Sequence, residues 1–171
     1  VRATDNEAFV LNEESHALAW RDIADIAGVT SLDPSLRRMA ARWLDRTTTA
    51  EEIAWDAERI RLIGTPLPWL RAIAQGDEAL RQVSGLAVAD TLVPDVDRPA
   101  FEFFSGLVEQ GVLPARWGSM LVQARDSGEV IGSAGFTGPP NAGVVEIGYS
   151  VAPAHRNRGM AREAAARLVE Q

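Results

Sequence analysis

The sequence predicts an α/β (α+β) fold, a mixed sheet covered by helices and preceded by a helical extension. Three observations carry that expectation. Residues 144–171 run from strand to turn to helix without a break. Residues 117–124 and 129–136 are two strand-like runs joined by Arg125, Asp126, Ser127 and Gly128, a connection typical of a hairpin. Residues 1–66, by contrast, carry their apolar side chains at helical spacing.

Taken in order, residues 12–27 place Ala17, Trp20, Ile23, Ala24 and Ala27 on one helical face, with Gly28 as C-cap. Asp33 and Pro34 then supply an N-cap and a first helical position for Leu36, Met39, Ala40 and Trp43. A third helix is expected from Thr48 or Thr49, each followed three residues later by a Glu as in a capping box, to Gly64, with Ile53, Ala57 and Ile60 as its stripe. Thr65-Pro66-Leu67-Pro68 reads as a stiff linker. It divides a helical extension or small helical domain, 1–66, from a second domain, 67–171.

That second domain opens with a strand at 69–74 and a helix led by Asp77 and Glu78 to about Leu86. Val93-Pro94-Asp95 breaks the chain, and 99–110 forms a helix with Phe101, Phe104, Leu107 and Val108 turned inward as core. The hairpin follows. Gly138 to Gly143 then turns the chain into a strand, 144–151, that puts Val145, Ile147, Tyr149 and Val151 on one face and Glu146, Gly148 and Ser150 on the other. Pro153 ends it. The resulting order is strand, helix, helix, three strands, helix.

Composition narrows the function classes. A chain of 171 residues, 46% hydrophobic and 24% charged, can bury one good core. With no Cys, disulfides, a thiolate nucleophile and a Cys-ligated metal are excluded. No apolar run approaches the ~18 residues of a membrane span, and residues 1–10 lack a signal pattern, so a cytoplasmic location is expected. Val1 is not an initiator, which leaves room for a leader ahead of it. All 17 basic residues are Arg, and the net charge of −7 argues against a nucleic-acid partner and suits a cationic amine substrate. Residues 22–30 look like the first helix and turn of a DNA-binding helix-turn-helix. Pro34 would fall in its recognition helix, and residues 1–66 hold 12 acidic side chains against 8 Arg, so a packing element is the expected reading. His16 is too isolated for a metal ligand, and His155 reads as a solvent-facing loop residue.

Arg156, Asn157, Arg158, Gly159, Met160 and Ala161 lie where a strand gives way to a helix. The first turn of a helix has backbone N–H groups without intrahelical partners and the positive end of the macrodipole, so it binds phosphate. Gly159 and Ala161 let a pyrophosphate approach; Arg156 and Arg158 add charge. An ordinary strand-to-helix turn is the alternative.

The spacing Arg156, Gly159, Ala161 after Val151 and Pro153 resembles the acetyl-CoA loop of the GCN5-related N-acetyltransferases, Arg/Gln-x-x-Gly-x-Gly/Ala after a strand ending in Val-x-Pro. Glu146-Ile147-Gly148-Tyr149 and Gly132-Ser133-Ala134-Gly135-Phe136 are similar to the same family, particularly its branch acting on protein N-termini and small amines. The likeness covers about 70–171.

The resemblance implies a mostly antiparallel sheet, acetyl-CoA as co-substrate without a metal, and direct transfer of the acetyl group to a primary amine on a small molecule or protein N-terminus. It implies that 156–161 holds the pyrophosphate and that the backbone of Ser150, Val151 and Ala152 pairs with the pantetheine arm. It sets Glu146 beside the thioester, where a carboxylate could take the amine's proton if burial raises its pKa. The other reading of Glu146 is an ion pair with Arg156. Tyr149, on the opposite face, reads as core.

The chain departs from the family by stopping at Gln171, where the fold normally continues with a strand, a helix and a strand pair, a part in which the family's usual general acid, a Tyr, lies. Truncation or incomplete order, completion by a second chain such as a homodimer partner, and lost catalysis are the three explanations. The last would make the protein a non-catalytic acyl-CoA-binding or regulatory protein.

Overall fold

The structure, a computed structural model, describes residues 49–170. The helices expected at 12–27 and 33–43, and the 22–30 segment, lie outside the described residues. The elements run β1 (Ala54–Asp56), β2 (Ile60–Gly64), α1 (Leu67–Gln75), α2 (Asp77–Ser84), α3 (Arg98–Glu109), β3 (Ser119–Ala124), β4 (Val130–Phe136), β5 (Ile147–Val151) and α4 (Met160–Val169). One five-stranded sheet holds the strands in the order β1-β2-β3-β4-β5, each pair antiparallel. An isolated bridge between Val88 and Val130 adds a parallel contact. The α+β expectation is met.

The sheet is central because β3 and β4 carry apolar side chains on both faces. Met120 and Val122 turn to one side, with Ile60, Leu62, Ile131 and, from α4, Ala164 and Leu168. Leu121 and Val130 turn to the other, against Leu70 and Ile73 of α1, Leu80 of α2 and Phe101 of α3. Fully burying each such side chain stabilises the fold by about 1.5–3 kcal/mol. Helices therefore cover both faces.

Two expected elements are corrected. The third helix does not form over 49–64. Thr49 caps as expected, its N–H donating to Glu52 Oε2 at 2.8 Å, but the cap serves only a 3₁₀ turn, Ala50–Glu52. The chain then makes the β1–β2 hairpin. Ile60, Leu62 and Gly64 are buried while Arg61 is exposed, a period of two, and β2 pairs with β3 from Ile60↔Ala124 to Gly64↔Met120. Ile53 and Ile60 do share a face, but that face belongs to the core beneath the sheet. Gly64 is required there, because a Cβ would overlap the Ala50 carbonyl. The sheet thus extends upstream of the 65–68 segment.

Residues 69–74 form no strand either; they are the middle of α1. Pro68 lies in the first turn, where its missing N–H costs nothing, and Leu70 and Ile73 are buried at helical spacing. The helices led by Asp77 and spanning 99–110, the hairpin, and the final strand and helix form as expected, with β5 shortened to Ile147–Val151. Between Val122 and Gln123 the register with β4 shifts, because Gly132 and Val130 face consecutive residues and Ile131 is extra.

Candidate functional site

The loop from β5 to α4 is shaped by two left-handed residues. After the 3₁₀ turn Pro153–His155, Arg156 is extended, Asn157 has φ 60° and Gly159, the N-cap of α4, has φ 80°. At φ 80° a residue with a Cβ is strained, and that Cβ would also stand 3.2 Å from Nη2 of Arg59. No side chain caps α4, so the N–H groups of its first turn, Met160, Ala161 and Arg162, are open. Arg156, Asn157, Arg158 and Gly159 are all exposed, and Met160 and Ala161 are half-buried. The loop offers an anion a ring of backbone donors with two guanidinium groups beside it.

Behind the loop, β5 has β4 on one side and, among the described residues, an open edge on the other. Ala152 N–H donates to Ile131 C=O at 2.8 Å, and Glu146 C=O accepts from Thr137 N–H at 3.1 Å. Alternation then turns the backbone groups of Ile147, Tyr149 and Val151 to the open edge. Of the three residues expected to meet a pantetheine arm, Val151 faces outward; Ser150 and Ala152 bond toward β4.

A cleft of about 210 Å³ lies between α3 and the β4–β5 end of the sheet. Ala100, Phe101 and Phe104 form one wall, Asp97 its rim, and Ser133, Gly135, Gly148 and Tyr149 the other. The register sets Ser133 opposite Ser150 and Gly135 opposite Gly148 on the cleft face. Thr137 and Glu146 continue that row, so Glu146 stands one pleat beyond Gly148. Phe101 is core as expected and also borders the cleft, whereas Phe104 is half-buried; Ser133 is a cleft residue that the sequence reading did not single out.

Three expectations about single residues change. Glu146 is exposed rather than buried. Its carboxylate also makes no ion pair with Arg156, whose Nε–H donates to the Val151 carbonyl at 2.9 Å. Tyr149 borders the cleft, is 56% exposed and is no part of the core. His155 is not a free loop residue, because its Nε2 stands 3.2 Å from Glu129 Oε2 and its side chain is 19% exposed.

Sequence reasoning missed Arg59 and Glu163, which join the β1–β2 turn to this loop. Arg59 donates through its backbone N–H to Glu163 Oε1 at 2.6 Å and through Nε to Oε2 at 2.9 Å. Its Nη1 donates to the carbonyl of Arg158 at 2.7 Å. Burial opposes ionisation of Glu163, but the Arg59 N–H and guanidinium and the Ile60 N–H outweigh it and hold the carboxyl below its usual range. Among the described residues no cluster of three or more His, Asp or Glu side chains could hold a metal ion, and no helix is long and apolar enough to cross a membrane.

The fold is a five-stranded antiparallel sheet flanked by helices, with the uncapped N-terminus of α4 following the edge strand β5. Residues 16–171 match the family model of the acetyltransferase (GNAT) domain, and the chain belongs to that family. It is 25% identical, over 115 residues, to the uncharacterized N-acetyltransferase YjdG of Bacillus subtilis (strain 168), covering 67% of this chain and 68% of that protein. Among solved structures it is similar to an acetyltransferase (GNAT family) from Bacillus anthracis, with 17% identity and a TM-score of 0.40. That match covers 69% of this chain and 64% of the other. For an acetyltransferase from Agrobacterium tumefaciens str. C58 the values are 21% identity, a TM-score of 0.43, and 69% and 65% coverage. The chain spans about two thirds of the length of these relatives.

Proposed function

We propose that this protein transfers an acetyl group from acetyl-CoA to a primary amine, on a small molecule or a protein N-terminus, by direct attack. The observation that carries the reading is that β5 is an outward-facing edge strand that leads into an uncapped helix N-terminus and has the unpaired carboxylate of Glu146 just ahead of its first residue. The first-turn N–H groups of Met160, Ala161 and Arg162, with Arg156 and Arg158, would hold the pyrophosphate. Asn157 and Gly159, both left-handed, supply the bend that keeps those donors clear of their own backbone. The outward groups of Val151 and Tyr149 would receive the pantetheine amide as an added strand.

Bound acetyl-CoA supplies the activated acetyl group as a thioester. The acceptor must lose a proton before its nitrogen can attack, since an alkylammonium has no lone pair and a pKa of about 10. Glu146 takes that proton, directly or through one water. A C–N bond then forms as the C–S bond breaks, and the departing thiolate is reprotonated. Holding both reactants in one cleft supplies the orientation. Phe101 and Phe104 would receive an apolar stem on the acceptor, while Asp97 at the rim favours a cationic head.

The exposure of Glu146 favours a second reading, in which the protein binds acyl-CoA without transferring the acyl group. Calorimetric titration with acetyl-CoA and CoA, alongside a Gly159→Glu variant, tests the shared step. Binding that is lost in the variant supports the loop; no binding to a folded protein rejects both readings. Release of free thiol with a panel of primary amines then separates them.

A further inference from the structure

The link between the β1–β2 turn and the α4 loop joins residues about a hundred positions apart and is more extensively bonded than any other long-range side-chain contact recorded around the loop. Arg59 grips Glu163 through two nitrogens, Ile60 N–H adds a third bond to Oε1 at 3.3 Å, and Glu163 N–H donates to the Gly159 carbonyl at 3.1 Å. The Glu163 side chain is only 15% exposed. We infer that Arg59 and Glu163 are positioning residues for the phosphate-binding loop: they fix the Arg158–Gly159 peptide so that its N–H faces the anion, and they cancel a carboxylate charge at the helix end. This rests on the loop's reading as the acetyl-CoA site.

Two physical arguments lead there. In a trans peptide the carbonyl and the following N–H point in opposite directions. Arg59 Nη1 holds the Arg158 carbonyl on the hairpin side at 2.7 Å, so the Gly159 N–H is turned away from the hairpin, toward the open mouth of the loop. Without that tether the peptide could rotate between Arg158 and the left-handed Gly159, and a carbonyl would then meet the phosphate. The second argument is charge. Glu163 lies in the first turn of α4, where a carboxylate is favoured by the macrodipole but repels a bound anion. The Arg59 guanidinium, through Nε, and the Arg59 backbone N–H together hold that carboxylate, and the cation offsets its charge. The remaining Nη2 of Arg59 lies beside Gly159, whose lack of a Cβ leaves the room it needs.

The test uses Arg59→Ala, Arg59→Lys, Glu163→Gln and the Arg59→Ala/Glu163→Gln double variant. Each is titrated with acetyl-CoA and with S-acetylpantetheine, which lacks the phosphates. The expected result is a Kd for acetyl-CoA raised about tenfold in Arg59→Ala and in Glu163→Gln, with the Kd for S-acetylpantetheine unchanged. Arg59→Lys should recover little, because a single ammonium cannot span the carboxylate and the Arg158 carbonyl together. The double variant should lose no more than the worse single one, since the two residues act as a unit. An unchanged acetyl-CoA affinity in a folded Arg59→Ala or Glu163→Gln protein, or equal losses for both ligands, overturns the inference. Failure of the unsubstituted protein to bind acetyl-CoA would instead reject the loop's assignment as the cofactor site, and the inference with it.

Discussion

Arg156 Nε–H donates to the carbonyl of Val151 at 2.9 Å, so the first residue of the anion loop is tied to the last residue of β5. The bond occupies an outward carbonyl of the edge strand and leaves the rest of the guanidinium at the loop's mouth. Replacing Arg156 with Ala should free the loop from the strand and raise the Kd for acetyl-CoA by about tenfold. Arg156→Lys separates charge from tether: it keeps the cation and loses the fixed geometry. A Lys variant that binds as tightly as the unsubstituted protein would show that charge alone matters.

Glu146 is exposed just ahead of β5, its side chain without a partner among the described residues. Glu146→Gln keeps its shape and removes the base. Turnover should fall by roughly 10²–10⁴-fold while acetyl-CoA affinity is unchanged. Steady-state kinetics with calorimetry on the same preparation checks both, and an unaltered kcat would remove Glu146 from the mechanism.

Glu163 sets an acid limit on stability. Its folded-state pKa lies below its value in an unfolded chain, about 4.3, because Arg59 and Ile60 stabilise the ionised form against the cost of burial. Its contribution is therefore fully present above the unfolded pKa and lost as pH falls through the folded one. Glu163→Gln should destabilise the protein at pH 7 and flatten the decline below about pH 4.5. Urea midpoints across pH 3 to 7 for the two proteins measure it, and parallel curves would contradict the assignment.

Gly132 faces Val151 across the β4–β5 pair, and a Cβ there would overlap the Ser150 carbonyl oxygen, which is backbone and cannot swing aside. Gly132→Ala should cost on the order of 1–3 kcal/mol, as other overpacked core changes do. It should also weaken acetyl-CoA binding, because the strand that is pushed out is the one bordering the loop. Urea unfolding with a matched titration tests both effects.

The parts of this fold that were legible in the sequence are those decided locally. Asp77, the Asp126-Ser127-Gly128 turn and the alternation of Ile147 to Val151 each declare an element within a few residues. The loop from Arg156 to Ala161 was legible for the same reason, being a contiguous motif. Residues 48–64 were misread because Ile53 and Ile60 meet in the core at a spacing that a helix would also give, and the choice was made by a partner far away, β3. At 69–74 Pro66 and Pro68 suggested a linker, whereas Pro68 sits in the first turn of α1. Arg59 carried no local signal at all: its meaning depends on Glu163, on the other side of the sequence. His155 was misjudged likewise, since Glu129 reaches it from the start of the neighbouring strand.

The strands of this sheet lie side by side in the order in which they occur along the chain. Each new strand therefore docks on one already in place, and no earlier strand has to wait for a later one to be inserted between it and its neighbour. During synthesis the sheet can grow at a single advancing margin, and β5 is the last of these strands to join. Loops that close early carry the smaller entropic cost, and an intermediate growing in this way exposes one margin at a time to other chains. Among the described strands that margin ends at β5, the strand that runs into the loop ahead of α4.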